Sequence, residues 1–197
     1  FVFYRTYARW REQDGRRETW PEAVDRYMSF MRSKLGDKLE KDEYDMVREA
    51  IVTMKVMPSM RLLQFAGPAA ERCNVTAYNC SYIAPESPRD LSEIIYILMS
   101  GCGVGFSVEA HHVDKFPICK DFHGKNFGPI IIPDSKEGWA DSFRVAMESW
   151  LKGIDIILDY SQLRPAGARL KTTGGRSSGP QPLKDLMNFT RELIISK

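Results

Sequence analysis

Apolar side chains recur along this chain at the three- and four-residue spacing of amphipathic helices. The clearest run follows Thr19-Trp-Pro-Glu22, a capping-box pattern with proline in the first turn. The apolar positions of that predicted helix are Val24, Tyr27, Met28, Met31 and Leu35. A second helix is predicted over residues 42–54, and Pro58 closes this region because it disfavours helical backbone at the preceding residue.

N-cap residues and the same spacing predict three further helices. Ser87 with Pro88 begins the first, Asp134 begins the second and Ser178 caps the third. Their core-facing positions are Leu91, Ile94, Ile95 and Leu98, then Trp139, Phe143, Met147 and Trp150, and last Leu183, Leu186, Met187 and Leu193.

Short apolar runs between these helices predict strands at residues 78–84, 106–109 and 154–160. Alternating helices and strands are typical of α/β architecture. We therefore expect the three strands to lie in one mainly parallel sheet with helices packed outside it. No repeat, low-complexity segment or linker is visible in the sequence.

Composition narrows the class of protein. The chain has 28 Lys and Arg against 26 Asp and Glu, so no basic field indicates a nucleic-acid partner. No apolar run approaches the roughly 18 residues of a membrane span, and we expect no membrane association. Cys73, Cys80, Cys102 and Cys119 are too few for a secreted disulfide framework, so we expect free thiols in a reducing, cytoplasmic setting. The chain opens at Phe1 without Met and stops at Lys197 inside a helical pattern, so we expect both ends to be cuts.

A cluster of glycines follows the helix that Ser87 begins. Gly101-Cys-Gly-Val-Gly105 lacks the spacing of a dinucleotide fingerprint, and it has the helix before the strand instead of after it. A helix C-cap and backbone bend explain one or two of these glycines. Three in five residues also suit a backbone that another group must approach closely, although packing is the favoured explanation from the pattern alone.

The segment Lys171-Thr-Thr-Gly-Gly-Arg-Ser-Ser-Gly-Pro180 combines glycines, hydroxyls and basic residues just before a helix. Its amides and the positive end of the helix suit an anionic partner such as phosphate. It lacks the order of a P-loop, and a flexible surface loop explains its composition equally well. Neither the cysteines nor His111-His112 show the spacing of a metal site, so we expect a solvated turn at the histidines and no metal.

Four stretches, taken in order, match one family. They are Asn79-Cys-Ser-Tyr-Ile83, Gly101-Cys-Gly-Val-Gly-Phe-Ser-Val108, Leu163-Arg-Pro-Ala-Gly-Ala-Arg-Leu170 and Gly174-Gly-Arg-Ser-Ser-Gly-Pro-Gln-Pro-Leu183. Together they resemble adenosylcobalamin-dependent (class II) ribonucleotide reductases, over nearly the whole chain. The resemblance implies an N-terminal helical segment, residues 1–57, followed at 58–197 by the first half of a ten-stranded α/β barrel.

The resemblance also implies a chemistry. Adenosylcobalamin generates a thiyl radical that activates the ribonucleotide, a cysteine pair supplies the reducing electrons, and a thioredoxin-like partner restores the pair. Cys80 falls where the family places the first cysteine of that pair. Cys102 stands where relatives often have glycine, and we assign it no role.

Binding residues follow from the same resemblance. The implied ribonucleotide-binding positions are Ser59, Asn79, Gly101, Gly103 and Gly105. The implied loop that reports a deoxynucleotide effector to the substrate contains Lys171, Thr172, Thr173, Gly174, Gly175 and Arg176. Arg176 is the residue that we expect to contact the nucleotide, because its guanidinium can reach phosphate or base edges.

One departure from the family changes the activity that we expect of this chain. No Asn-Pro-Cys-Gly-Glu motif occurs, so the radical cysteine, its carboxylate and the second redox cysteine are missing. We expect this fragment to be inactive alone and to need the second half of the barrel, carried on another chain, placed after an intein or removed. The alternative is a non-catalytic nucleotide-binding or regulatory module. The sequence leaves open whether the substrate is a diphosphate or a triphosphate.

Overall fold

The structure is a computed structural model that describes residues 1–124 and 126–196. It divides into two compact units. The first contains Phe1–Asn79 together with Lys171–Gly174, and the second contains Cys80–Leu170 and the chain from Gly175 onward. The change of unit after Asn79 lies later than the boundary predicted after residue 57, and that domain assignment stays a prediction.

The first unit is helical apart from one short hairpin. Its elements are the antiparallel strands β1 (Trp10–Arg11) and β2 (Arg16–Arg17) and the helices α1 (Trp20–Leu35), α2 (Lys41–Val52), α3 (Met60–Phe65) and α4 (Pro68–Arg72). Single turns of π- or 3₁₀-helix lie at Phe3–Tyr7, Gly36–Lys38 and Asn74–Ala77. The core is built by the buried residues Ala23, Val24, Tyr44, Ile51, Leu63, Phe65, Ala66, Ala69 and Ala70.

Local chemistry explains where α1 lies. The Glu22 carboxylate accepts a hydrogen bond from the Thr19 amide at 2.7 Å, completing the predicted capping box. Gly36 ends the helix with a φ of 57°, a conformation that favours glycine. The Trp20 indole donates to the Val52 carbonyl at 3.0 Å and so fixes α1 against α2.

The second unit alternates helices and short parallel strands. Its elements are β3 (Cys80–Ile83), α5 (Pro88–Met99), β4 (Gly103–Phe106), α6 (Ala110–Val113), β5 (Asn126–Ile131), α7 (Lys136–Leu151), β6 (Asp155–Asp159) and α8 (Gln181–Ile195). Strand β3 pairs with β4, and β5 pairs with β6, both parallel. The core residues are Ile132, Phe143, Ala146, Met147, Trp150, Ile156, Leu163, Leu183 and Met187.

Two strand predictions were wrong. In the described residues, β3 and β6 lie in separate two-stranded sheets, not in one sheet. The partner of β6 is β5, which the pattern did not reveal because Gly128 and Pro129 interrupt it. The strand predicted at 106–109 runs instead over Gly103–Phe106, because pairing with β3 outweighs the weak strand propensity of its glycines.

The five predicted helices are present, with shifted starts for two of them. Helix α7 is capped by Ser135, whose hydroxyl accepts from the Gly138 amide at 2.9 Å, and α8 begins at Gln181 after Pro180 instead of at Ser178. The histidines predicted in a turn lie in α6. An α/β architecture with parallel sheets is confirmed, and the ten-stranded barrel stays a prediction. None of the described helices has the length and apolarity needed to cross a membrane.

Candidate functional site

The ladder between β3 and β4 places Cys80 beside the glycine cluster. Cys80 is the first residue of β3 and lies opposite Gly103, while Tyr82 lies opposite Gly105. The Ser81 hydroxyl donates to the Gly103 carbonyl at 3.1 Å, which adds a side-chain contact to the main-chain pairing. Cys80 is therefore an exposed thiol held on a paired strand next to an exposed glycine backbone.

The glycines of this cluster have different physical explanations. Gly101 has a φ of 83° at the end of α5, where a side chain would be strained, so the backbone turn accounts for it. A Cβ on Gly105 would lie 3.7 Å from the Tyr82 ring and 3.8 Å from the Ser81 carbonyl oxygen, which are ordinary contacts. Packing within the described residues therefore does not require glycine at position 105, whereas close approach of another molecule would.

The four thiols divide by exposure. Cys80 and Cys119 are exposed, whereas Cys73 and Cys102 are buried, and none of the four forms a disulfide. Cys102 is 1% exposed, next to the strand residue that faces Cys80. Its burial agrees with a structural role as a small apolar residue. A macromolecular reductant could reach only an exposed thiol directly.

Ser59 has a clear local role in the first unit. It is the N-cap of α3, and its hydroxyl accepts from the Leu62 amide at 3.4 Å. Ser59 and Asn79 are both exposed. Capping explains why a hydroxyl residue stands at position 59, so any contact with a nucleotide would be an addition to that role.

The base of the Lys171–Pro180 segment is ordered by main-chain hydrogen bonds in the second unit. Gly167 donates to the Ser177 carbonyl and Ser177 donates to the Ala168 carbonyl, each at 2.8 Å. Leu170 donates to the Gly175 carbonyl at 3.1 Å, and the Arg176 guanidinium donates to Gly167 at 2.8 Å. This arrangement is a hairpin. The exposed Arg176 side chain is held by its hydrogen bond to the Gly167 carbonyl at the base of the hairpin.

The tip of the same segment belongs to the first unit, where it meets a residue that the sequence analysis missed. The Arg9 guanidinium donates to the carbonyls of Thr173 and Gln64, the latter at 2.5 Å. Lys171 and Thr172 remain exposed. No sequence signal identifies Arg9, because its partners lie 55 and 164 residues away along the chain.

One group of ligand-type side chains lies together in the described part of the chain. It consists of Glu109, His111 and His112 around α6. The Glu86 carboxylate lies 2.8 Å from His112 Nδ1 and 2.6 Å from Lys115 Nζ, and hydrogen bonds from Lys115 and then His112 hold the pKa of Glu86 below its usual value. The contact with Glu86 therefore accounts for the position of one of these three side chains, His112.

The β3–β4 ladder offers no cobalt ligand of the histidine or carboxylate type, since its residues are Cys80-Ser-Tyr-Ile83 and Gly103-Val-Gly-Phe106.

Comparison with known proteins shows which protein family this chain resembles. A family model described as the ribonucleotide reductase alpha domain matches residues 1–67, and one described as the insertion domain of B12-dependent ribonucleotide reductase matches residues 105–194. Both models describe parts of ribonucleotide reductases, and together they match most of this chain. The insertion-domain match overlaps the stretch assigned to the half-barrel, so the placing of individual strands in the barrel stays a prediction.

The relatives narrow the class further. An adenosylcobalamin-dependent ribonucleoside-triphosphate reductase of Euglena gracilis is 29% identical and is matched over 100% of this chain and 29% of its own length. A putative enzyme of the same description from Mycobacterium phage D29 is 28% identical over 98% of this chain and 32% of its own. The Lactobacillus leichmannii enzyme is 26% identical over 100% and 36%. This chain therefore spans about a third of the length of its relatives and resembles the adenosylcobalamin-dependent, class II branch.

A solved structure agrees in fold. The crystal structure of a B12-dependent (class II) ribonucleotide reductase superposes with a TM-score of 0.78 over 100% of this chain and 36% of the other, at 23% identity. At that identity the likeness supports the fold alone.

Proposed function

We propose that this chain is part of an adenosylcobalamin-dependent reductase that converts ribonucleoside triphosphates to deoxyribonucleoside triphosphates. The exposed Cys80 thiol, fixed on a paired strand beside Gly103, is the observation that carries the proposal. A reducing thiol must be held rigidly where a second thiol can reach it, with Cα atoms about 5.5–6 Å apart in the disulfide. The triphosphate form follows the names of the relatives.

When bound in the complete enzyme, adenosylcobalamin supplies the radical that activates the ribose. The C2′ hydroxyl leaves as water and is replaced by hydrogen, while two thiols lose two electrons and two protons and join as a disulfide. Cys80 is one of these thiols, and a thioredoxin-like dithiol then reduces the disulfide by exchange. We place the second thiol, the radical cysteine and its carboxylate outside this chain.

Other residues receive supporting roles in this proposal. The exposed backbone at Gly103 and Gly105 lets the nucleotide approach the ladder closely, with Gly101 shaping the turn that precedes it. Ser59 and Asn79 contribute polar groups toward the ribose or phosphates. The hairpin loop Lys171–Arg176 senses a deoxynucleotide effector, and Arg176 contacts the nucleotide.

Substitution at the exposed thiols tests the proposal. Cys80→Ser in the complete enzyme should abolish sustained turnover with thioredoxin and leave nucleotide binding intact, because a hydroxyl resembles the thiol in size but forms no disulfide. Cys119→Ser is the matched control, because Cys119 is also exposed, and it should retain activity. Wild-type turnover by Cys80→Ser would remove Cys80 from the mechanism.

A further inference from the structure

Arg9 is largely buried and joins two distant main-chain carbonyls. Its guanidinium donates to Thr173 at the loop tip and to Gln64 in α3, and it also lies over the Phe65 ring at 5.4 Å. A planar guanidinium can bridge two acceptors in fixed directions, which an ammonium group cannot do. Arg9 therefore links the loop tip to the helix that Ser59 caps.

A buried ion pair holds this link in place. The Arg9 amide donates to Glu18 at 3.0 Å, and Glu18 pairs with Arg26 at 2.9 Å. Arg26 also donates to the carbonyls of Ala66 and Leu63, each at 3.0 Å, next to the position that Arg9 contacts. Burial, and then the charge of Arg26, lowers the pKa of Arg9 to about 10, so the guanidinium stays protonated at neutral pH.

We propose that Arg9 is a positioning residue. It holds the loop tip, Lys171–Gly174, in the conformation in which the loop responds to a bound nucleotide. The proposal rests on the proposed function of that loop. Arg9 contacts a carbonyl of the tip, while the Lys171 and Thr172 side chains stay exposed. The tip is thus fixed by its main chain, and its side chains remain available to a ligand.

Two adjacent glycines allow this contact to be tested separately from backbone strain. Gly174 and Gly175 have φ values of 77° and 86°, so alanine is strained at both. A Cβ on Gly174 would lie 2.6 Å from Arg9 Nη1, whereas a Cβ on Gly175 would have no neighbour within 4 Å. The difference between the two alanine variants therefore reports on the guanidinium at the tip.

The first experiment measures tryptic cleavage after Lys171 in the complete protein without nucleotide, since cleavage follows local opening. Arg9→Gln should raise the cleavage rate about tenfold, because charged hydrogen bonds to the tip are lost. Arg9→Lys should give an intermediate rate. Arg17→Gln is the control, because the Arg17 guanidinium donates to the Ala8 carbonyl at 2.8 Å and, within the described residues, makes no hydrogen bond to the loop tip. Equal rates for Arg9→Gln and Arg17→Gln would overturn the proposal.

The glycine pair provides a second route if Arg9→Gln fails to fold. Gly174→Ala should speed cleavage more than Gly175→Ala when Arg9 is present. In the Arg9→Lys background the difference should shrink, because the shorter ammonium leaves room for the added methyl. The same rate for both alanine variants in the wild-type background would show that the Arg9 contact does not hold the tip.

Substrate choice distinguishes this inference from the function on which it rests. In the complete enzyme we measure how much a deoxynucleotide effector changes the ratio of kcat/KM between two ribonucleotides. Arg9→Gln should reduce that change by about fivefold or more. If Arg176→Ala reduces it and Arg9→Gln does not, the positioning role is wrong. If neither variant changes it, the sensing function of the loop is wrong, and the role proposed for Arg9 is lost with it.

Discussion

Solvent exposure divides the four cysteines into two pairs, a division that the residues around them in the sequence do not reveal. Cys80 and Cys119 are exposed, and Cys73 and Cys102 are buried. We predict that a small alkylating reagent labels the first pair of the native protein rapidly and the second pair only after unfolding. Mass spectrometry of peptides labelled over time measures this. Rapid native labelling of Cys102 would contradict the position of β4.

At the level of single residues, the sequence predicts a site residue only where the residues that identify it lie close to it along the chain. Cys80 can be predicted as a site residue from the sequence because its neighbours form a contiguous motif that a family shares, and its role stays a prediction. Arg9 was missed because its partners, Gln64 and Thr173, are brought to it only by folding. The family resemblance assigns the Ser59 hydroxyl to the substrate. Its capping of α3 becomes visible only in the structure, which shows that the helix begins at Met60.

At the scale of elements, the glycines around β4 should respond differently to alanine. Gly101→Ala should lower the free energy of unfolding by about 1 kcal/mol, because it places a Cβ at positive φ. Gly105→Ala should leave stability nearly unchanged, since its Cβ meets only ordinary contacts, but should weaken ribonucleotide binding by the complete enzyme. Urea unfolding and a nucleotide-binding titration separate the two effects. Unweakened binding by Gly105→Ala would contradict the close-approach role.

An ion pair joins β6 to α8 in the second unit. Arg191 donates to Asp155 at 2.8 and 2.5 Å, and this hydrogen bonding lowers the pKa of Asp155 below its usual 3.8. The pair therefore stabilises the fold above about pH 4, and this contribution is lost as pH falls through the lowered pKa. Asp155→Asn should cost about 1 kcal/mol at pH 7 after allowance for solvent screening, and less at pH 3.

The control for this pair is Asp141→Asn. Asp141 is 71% exposed in its side chain and lies 3.9 Å from Arg144, so its removal should leave stability unchanged at both pH values. Urea unfolding of both variants at pH 7 and pH 3 provides the comparison. A loss for Asp155→Asn that is equal at both pH values would show that the charge of Asp155 does not matter.

Helices were predictable and sheet pairing was not, for physical reasons. The caps at Thr19, Ser87 and around Asp134 are local signals, and each helix followed. Strand pairing is decided by contacts far apart in sequence, so the partnership of β5 with β6 could not be read from either strand alone. Strands β4 and β5 were also hard to predict because they contain glycines, which have a low strand propensity.

At the scale of the whole molecule, large apolar side chains are exposed on the β3–β4 sheet and just after β4. Tyr82, Phe106 and Val108 are 63%, 59% and 75% exposed. An uncovered sheet of this kind promotes association. We predict that the chain purified alone dimerises or aggregates, and that Phe106→Glu reduces this. Multi-angle light scattering tests the expectation, and a stable monomer of the unmodified chain would contradict the view that another part of the protein covers this surface.

The most direct test of the central claim follows the thiols through one turnover. The pre-reduced complete enzyme is given adenosylcobalamin and a ribonucleoside triphosphate without external reductant, then quenched, and its free thiols are alkylated. Cys80 should become protected in proportion to the deoxynucleotide formed and recover on reduction, while Cys119 stays reactive throughout. Product formed while Cys80 remains fully open to alkylation would contradict the account.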